Sequence, residues 1–278
     1  MKKSIFIIAL LALVFCSCDR REDRGMLTQR GKQVSEKWEQ ITDVVLRDVV
    51  NESFHLNAWI NADDSLRRII ENQYYTNKRV RLDGENVYGI YDEYGTLLMT
   101  VYTHGATLSD ANTTWEIHRI SMGDYRAADC LFAQEPEVVF NLEALGNNNW
   151  HLSMDSATSA GSSLDLTLGI PGVAVPYDIL VQSFTLEGSG SYDLDGTTYY
   201  YDGVTATHYP VTLQFDIERS LHQLPNPDKC IWILGKMNLK AKFQGYDDID
   251  VEAEYLANDG MRITYRGVTE LWRSYVVN

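Results

Sequence analysis

Positive charge is scarce in this chain: 24 Lys and Arg face 39 Asp and Glu, a net charge of −15 over 278 residues. Nucleic acids and anionic bilayers demand a positive face, so neither is expected as a direct partner of the folded chain. Cysteine is scarce too. Only Cys16, Cys18, Cys130 and Cys230 are present, which excludes a disulfide-dense scaffold. Catalytic and metal signatures are missing as well. The six histidines, His55, His104, His118, His151, His208 and His222, stand far apart, with no HExxH and no CxxC, so no metal and no cofactor is expected. The hydrolase elbow Gly-x-Ser-x-Gly is absent. Gly188-Ser189-Gly190-Ser191 has its composition without its order, and it lies between β-like runs rather than at a strand-to-helix turn. No catalytic residue is assigned, although a triad built from distant residues stays open because triads are defined by geometry.

What is present begins at the N-terminus. Met1-Lys2-Lys3 precedes an apolar run from Ile5 to Phe15 and then Cys16-Ser17-Cys18-Asp19. A short basic start followed by about ten apolar residues is a secretory signal, too short to span a bilayer. Ordinary signal peptidase requires small residues one and three positions before the cut, and a cut before Cys18 would put Phe15 at the third. Phe15-Cys16-Ser17-Cys18 instead resembles the lipobox of bacterial lipoproteins: a large apolar residue, two small ones, then the cysteine that is acylated. Cys16 fits less well because bulky Phe15 immediately precedes it. A plain secretory signal with an incidental cysteine is the alternative.

The resemblance covers about twenty residues. It implies a signal peptide over 1–17, lipid attachment at Cys18 and a membrane partner reached through that lipid. One acyl chain binds a bilayer marginally, whereas several hold it stably. Asp19-Arg20-Arg21-Glu22-Asp23-Arg24-Gly25 offers nothing apolar to bury, so 18–27 reads as a charged tether. An Asp after the cysteine favours the inner membrane in enterobacteria-like lipoproteins. In glycan-degrading Gram-negative anaerobes an acidic cluster there resembles a surface-export signal, and the outer membrane is the expectation here. Cleavage removes Lys2 and Lys3 and no acid, taking the charge from −15 to −17. Cys130 and Cys230 could pair outside the cytosol; two small buried hydrophobes are expected instead.

From Thr28 to about Leu56 the pattern is helical. Val34, Trp38, Ile41, Val45 and Val49 recur at spacings of three and four, with Glu36, Lys37, Glu39, Gln40 and Arg47 on the other side. A second helix is expected from Asp63–Ser65, which offer capping oxygens, with Leu66, Ile69, Ile70 and Tyr74 as a core stripe. The helical segment is thus 28–76.

From 77 to 278 the period is two, and one domain with the helices is expected. Asp83-Gly84, Asp195-Gly196, Asp202-Gly203 and Asp259-Gly260 supply the positive φ of hairpins. Between them run Leu97–Tyr102, Val181–Leu186, Val211–Ile217 and Ile231–Leu234, an antiparallel meander with no βαβ alternation. Alternation in Met237–Phe243 and Ile249–Tyr255 predicts the register Phe243 to Ile249, Ala241 to Val251 and Leu239 to Ala253. That pairs Lys242 with Asp250 and Lys240 with Glu252, and returns Met261, Ile263 and Tyr265 to the buried side. Arg266 and Thr264 then fall beside Asp250 and Glu252. A face of opposite-charge ladders reads as solvated sheet surface.

Loops are expected at Asn147-Asn148-Asn149, over Ser153–Ser163 and in the apolar stretch Ile170–Tyr177. Asp193-Leu194-Asp195-Gly196 is a weak calcium candidate through Asp193 and Asp195. It lacks the third acid and terminal Glu of an EF-hand loop, and a hairpin turn explains its Asp-Gly. Aromatics are the remaining lead, with 17 Tyr and 6 Trp. In Tyr199-Tyr200-Tyr201 alternation puts Tyr199 and Tyr201 on one face, and these two are the candidate ligand-facing residues. Half-buried β residues are the plainer reading of the same triplet.

The expected architecture is α+β, mainly β: an N-terminal helical pair packed on a large, mostly antiparallel sheet, as a sandwich or a half-barrel. Three functions remain. The first is a non-catalytic envelope protein binding a glycan, a peptide or another envelope protein. The second is a periplasmic carrier of an apolar ligand inside a curled sheet, and the third a hydrolase with a site assembled from distant residues. A deep apolar cavity would favour the carrier; a His with Ser and Asp in a cleft would favour the hydrolase.

Overall fold

The computed structural model describes residues 29–120, 137–154, 162–172, 177–201, 206–227, 230–243, 247–257 and 260–272, with the backbone alone at 194–201, 206–211 and 243. The signal and lipobox, Cys18, the tether and Cys130 lie outside the described residues.

The first helix, α1, covers 29–61, five residues beyond the expected end. Val34, Trp38, Ile41, Val45 and Val49 are all buried, as their spacing predicts. At Leu46–Asn51 the helix widens into a π-helical turn, which offsets the apolar stripe beyond it. Past that turn Ser53, Phe54, His55, Leu56, Asn57 and Ala58 are all buried, so the helix is enclosed on every side. The second helix, α2 (Asp64–Tyr74), begins as its caps predict: the Leu66 N–H donates to Asp63 Oδ1 at 2.8 Å. Its expected core stripe is only partly realised. Ile70 is buried, but Leu66 and Ile69 are exposed.

Thirteen strands follow: β1 (Lys78–Gly84), β2 (Val87–Asp92), β3 (Leu97–Tyr102), β4 (Thr113–Ile120), β5 (Glu137–Gly146), β6 (Asn149–Met154) and β7 (Ser163–Gly169). After a loop come β8 (Thr185–Tyr201), β9 (Ala206–Leu224), β10 (Ile231–Phe243), β11 (Ile249–Leu256), β12 (Gly260–Tyr265) and β13 (Val268–Trp272). They form one sheet whose spatial order is the sequence order, every neighbouring pair being antiparallel. The class is α+β, mainly β, and the sheet does not close into a barrel. A sandwich needs two sheets; this is a single one.

Turn chemistry explains much of the connectivity. Asn147 and Asn148, at φ of 51° and 61°, make the two-residue hairpin between β5 and β6, and Arg266-Gly267 does the same between β12 and β13. Asp195-Gly196 is not the hairpin turn its sequence resembles. It lies inside β8, where the register with β9 shifts between Leu194 and Thr198, so it serves an irregularity within the ladder. At Gly188, φ is +117° and a Cβ would come within 2.0 Å of the Asp165 carbonyl oxygen, so glycine alone fits that crossing of β7 and β8.

The predicted β10–β11 faces are right and the predicted register is two residues out. Ala241 pairs with Ile249, Leu239 with Val251 and Met237 with Ala253. Alternation fixes parity, so a slip of two leaves every apolar residue inside and only changes the partners outside. Lys240 therefore meets Asp250 and Asp248, at 3.4 and 3.0 Å, while Lys236 takes Glu252 at 3.0 Å. Thr264 pairs with Glu252 as expected, whereas Arg266 turns away at the hairpin and faces Asp247 at 3.5 Å.

The helix α1, roughly 50 Å long at 1.5 Å per residue, lies along the apolar face of the sheet. A Cβ on Gly31 would meet Ile263 of β12 at 2.8 Å, and Ser35 bonds Met261 Sδ at 3.3 Å. Tyr255 of β11 donates to Glu39 at 2.8 Å, and Thr42 bonds Tyr192 of β8 at 3.1 Å. Farther on, Phe54 packs edge-on to Trp150 of β6 with centroids 5.0 Å apart. One helix thus ties strands from both halves of the sheet to a common core.

Candidate functional site

The residues singled out from the sequence do not converge. Tyr199 and Tyr201 lie in the β8–β9 ladder opposite His208 and Ala206. The Asp193 N–H donates to Ser162 Oγ at 2.8 Å, and the Asp195 side chain is outside what the structure describes. Among the described residues no three His, Cys, Asp or Glu side chains are placed to hold a metal ion. In the apolar loop, Ile170 is buried and Tyr177 exposed.

Most polar side chains on the outward face of the sheet are tied into ladders. His118 sits between Glu116 and Glu137, at 2.5 and 2.6 Å. His151 is 2.8 Å from Asp165 and 3.9 Å from Glu143. A depression of about 540 Å³ opens where β9 and β10 lose register, lined by Arg219, Ser220, His222, Leu234 and Glu254. Ser220 Oγ donates to Glu187 there. Cys230 is a poor nucleophile, because burial pushes its thiol up and the Asp43 carboxylate adds to the effect.

The His118 ladder makes a pH prediction. Burial alone would lower this imidazole, but its bonds to Glu116 and Glu137 outweigh burial and hold it above its ordinary value. A raised folded-state value means stabilisation that is complete below the unfolded value of about 6.5 and is lost as pH rises through the folded one. In urea unfolding, the margin of wild type over His118→Gln should be largest just below about pH 6.5 and shrink in alkali. A margin that grows with pH contradicts the assignment.

One group of polar residues is buried rather than laddered, and it sits at the π-helical turn of α1. The Asn51 side chain accepts from the Ile179 N–H at 2.8 Å, and its Nδ2 lies 3.4 Å from His55 Nε2. His55 Nε2 is also at ion-pair distance, 3.8 Å, from Asp178 Oδ2. The imidazole stacks on Tyr74, with centroids 3.9 Å apart and planes 20° from parallel, and meets Tyr75 edge-on at 6.4 Å. Beside it Lys78 Nζ pairs with Glu52 Oε1. Three elements and the loop at 177–180 therefore meet around one histidine.

Electrostatics there are internally consistent. Burial would raise Asp178, yet His55, the Leu180 N–H and Asn51 outweigh it and hold the carboxylate below its usual range. Burial, followed by the Glu52 charge, pushes the Tyr75 phenol well up, so it stays a protonated donor. Burial and then Asp178 raise Tyr74. Glu52 Oε2, His55 Nδ1 and the Tyr75 hydroxyl nevertheless carry no hydrogen bond among the described residues. His55, Tyr75 and Asn51 are 6%, 4% and 4% exposed, whereas Tyr177 is 53% exposed.

Sequence reasoning missed this cluster. Asn51 and His55 stand 123 or more residues from Asp178 and Ile179 along the chain. One signal was available: no Lys, Arg, Asp or Glu occurs between Glu52 and Asp63, so that helical stretch has no solvated side.

The chain matches no protein-family model, no curated protein and no solved structure.

Proposed function

We propose that this chain is a lipoprotein of the cell envelope, anchored by lipid on Cys18 to the outer membrane, that binds a glycan without catalysing its cleavage. The observation that carries the binding half is the β8–β9 ribbon. Its ladder runs on past the last rungs with β7 (Ser163 to Ser191) and with β10 (Phe243 to Val211). The further rungs pair Thr198 with Tyr209, Tyr199 with His208, Tyr200 with Thr207 and Tyr201 with Ala206. Four tyrosines on four rungs concentrate the residue type that holds sugar rings by their apolar C–H faces.

Other features agree with a binder. Burial and the Asp43 carboxylate push the Cys230 thiol up, which makes it a poor nucleophile. A carrier would keep the inner side of its sheet for cargo; here Trp38, Phe54, Trp115 and Trp150 occupy that side.

A glycan array probed with the mature protein in detergent tests the reading. Retention on at least one polysaccharide is expected, with clear loss in a Tyr199→Ala, Tyr201→Ala double variant. Retention on no sugar overturns it.

A further inference from the structure

We propose that strand β1 is a docking edge for an extended acidic peptide of a partner protein, which joins the sheet as a further strand. The sheet runs from β1 to β13 without closing, so β1 has β2 as its single neighbour in the ladder. A strand with one neighbour leaves every second N–H and C=O outside the ladder, open to another chain. Such edges take peptides by main-chain hydrogen bonds, and the side chains beside them set which peptide fits. Strands β2 to β7 separate this edge from the β8–β9 ribbon, so the two readings stand or fall separately.

The side chains here are basic. Arg67, Arg68, Lys78, Arg79 and Arg81 fall within 67–82, where Glu71 is the only acid, in a chain of 39 acids and 24 bases. Arg67 and Lys78 are engaged inside the fold: Arg67 donates to the Trp59 and Ala62 carbonyls, and Lys78 pairs with Glu52. Arg79 and Arg81 are exposed, and alternation puts both on the outward face of β1. Arg79 makes no ion pair among the described residues. Arg81 is held in place by Tyr91: the guanidinium lies 4.7 Å over that ring, whose hydroxyl donates to Asp83 at 2.5 Å. Asp83 comes no closer to Arg81 Nε than 3.8 Å.

The inner side of the edge is apolar. Val80 packs on the core, and Leu82 beyond it is 65% exposed. At the other end of β1 Lys78 pairs with Asp92, and the turn that follows carries Tyr94 at 85% exposed. These are the two most exposed large apolar side chains among the described residues. Residues opposite each other in a ladder share a face. An added strand therefore meets Arg79 and Arg81 on one side and Val80 and Leu82 on the other. The occupant that fits alternates acidic and apolar residues.

Charge decides against a second copy of this chain. Two β1 edges paired together would set arginine against arginine on one face, which destabilises a ladder. The far edge, β13, turns Thr269 and Leu271 outward, while its Glu270 pairs with buried Ile263 on the inner side. Arginines on an edge thus deter copies of the chain and admit a strand of opposite charge.

Fluorescence anisotropy with a labelled peptide of alternating Glu and Val, on the mature protein in detergent, tests the proposal. Saturable binding is expected, with protection of the β1 amides from hydrogen exchange and no binding of the Lys–Val counterpart. Reversing both charges, Arg79→Glu with Arg81→Glu, should weaken the peptide about tenfold; both positions are exposed, so the fold stays intact. N-methylation of alternate peptide residues separates strand addition from attraction of charge alone. One methylation register should abolish binding and the other keep it, because only every second N–H points into the ladder. Equal binding by both registers, by the Lys–Val peptide or by the charge-reversed protein overturns the proposal. Failure of the Glu–Val peptide to bind overturns it too, and phosphatidylglycerol vesicles bound in its stead would give the edge to a membrane. A dimer of the free protein that the charge-reversed variant loses would give it to a second copy.

Discussion

Replacing Trp38 with alanine should cost about 3–5 kcal/mol of folding free energy. The side chain is fully buried and joins two strands to α1: its ring lies 5.6 Å from Phe215 of β9, edge-on, and 6.0 Å from Trp232 of β10. Trp232 in turn meets Phe184 edge-on at 5.8 Å, so a cavity at Trp38 loosens three other aromatic rings in the sheet. Trp38→Phe separates packing from polarity. The indole N–H of Trp38 is buried with no hydrogen-bond partner among the described residues, and such a group costs about 1–3 kcal/mol. Phenylalanine removes that cost along with some contact area, so its net loss should be much smaller than that of alanine. Urea midpoints of the three proteins check this. Equal losses for Phe and Ala would mean that the N–H is satisfied and that the packing account is wrong.

The second large effect is at Cys18. On the proposed anchoring, wild type incorporates labelled palmitate, Cys18→Ala incorporates none, and Cys16→Ala labels like wild type. The reason lies in the rest of the chain. Cleaved as proposed before Cys18, the protein would carry a net charge of −17, which gives it no attraction of its own for an anionic membrane. The described residues also hold no helix long and apolar enough to cross a bilayer. The acyl chains at one thiol are therefore the proposed source of membrane affinity. Palmitate on Cys18→Ala, or its loss from Cys16→Ala, would move the anchor to Cys16 or remove it.

The fold was legible wherever one period ran uninterrupted. Val34, Trp38, Ile41, Val45 and Val49 marked the inner side of α1, and Ile249, Val251, Ala253 and Tyr255 that of β11; all nine are buried. Limits appeared where the local pattern is degenerate. Two registers of β10 and β11 bury the same residues, so alternation by itself does not choose between them. Asp-Gly carries the same ambiguity, because a hairpin and an irregular rung both use a residue with positive φ. The site was least legible. Tyr74 read as core from its helical spacing, and it is half-buried against His55. No local pattern could bring Asp178 to His55, because the contact depends on the loop before β8 returning to the π-helical turn of α1. The Tyr199–Tyr201 triplet, by contrast, was conspicuous in the sequence, and its rungs on the β8–β9 ribbon are the structural context the sequence lacked.

The intact mass and N-terminal fragments of the protein extracted from its native membranes test the account's central claim most directly. The prediction is a chain that starts at Cys18, lacks residues 1–17 and carries acyl chains on its first residue. A mature chain without acyl mass, or one that starts at any other residue, would contradict it.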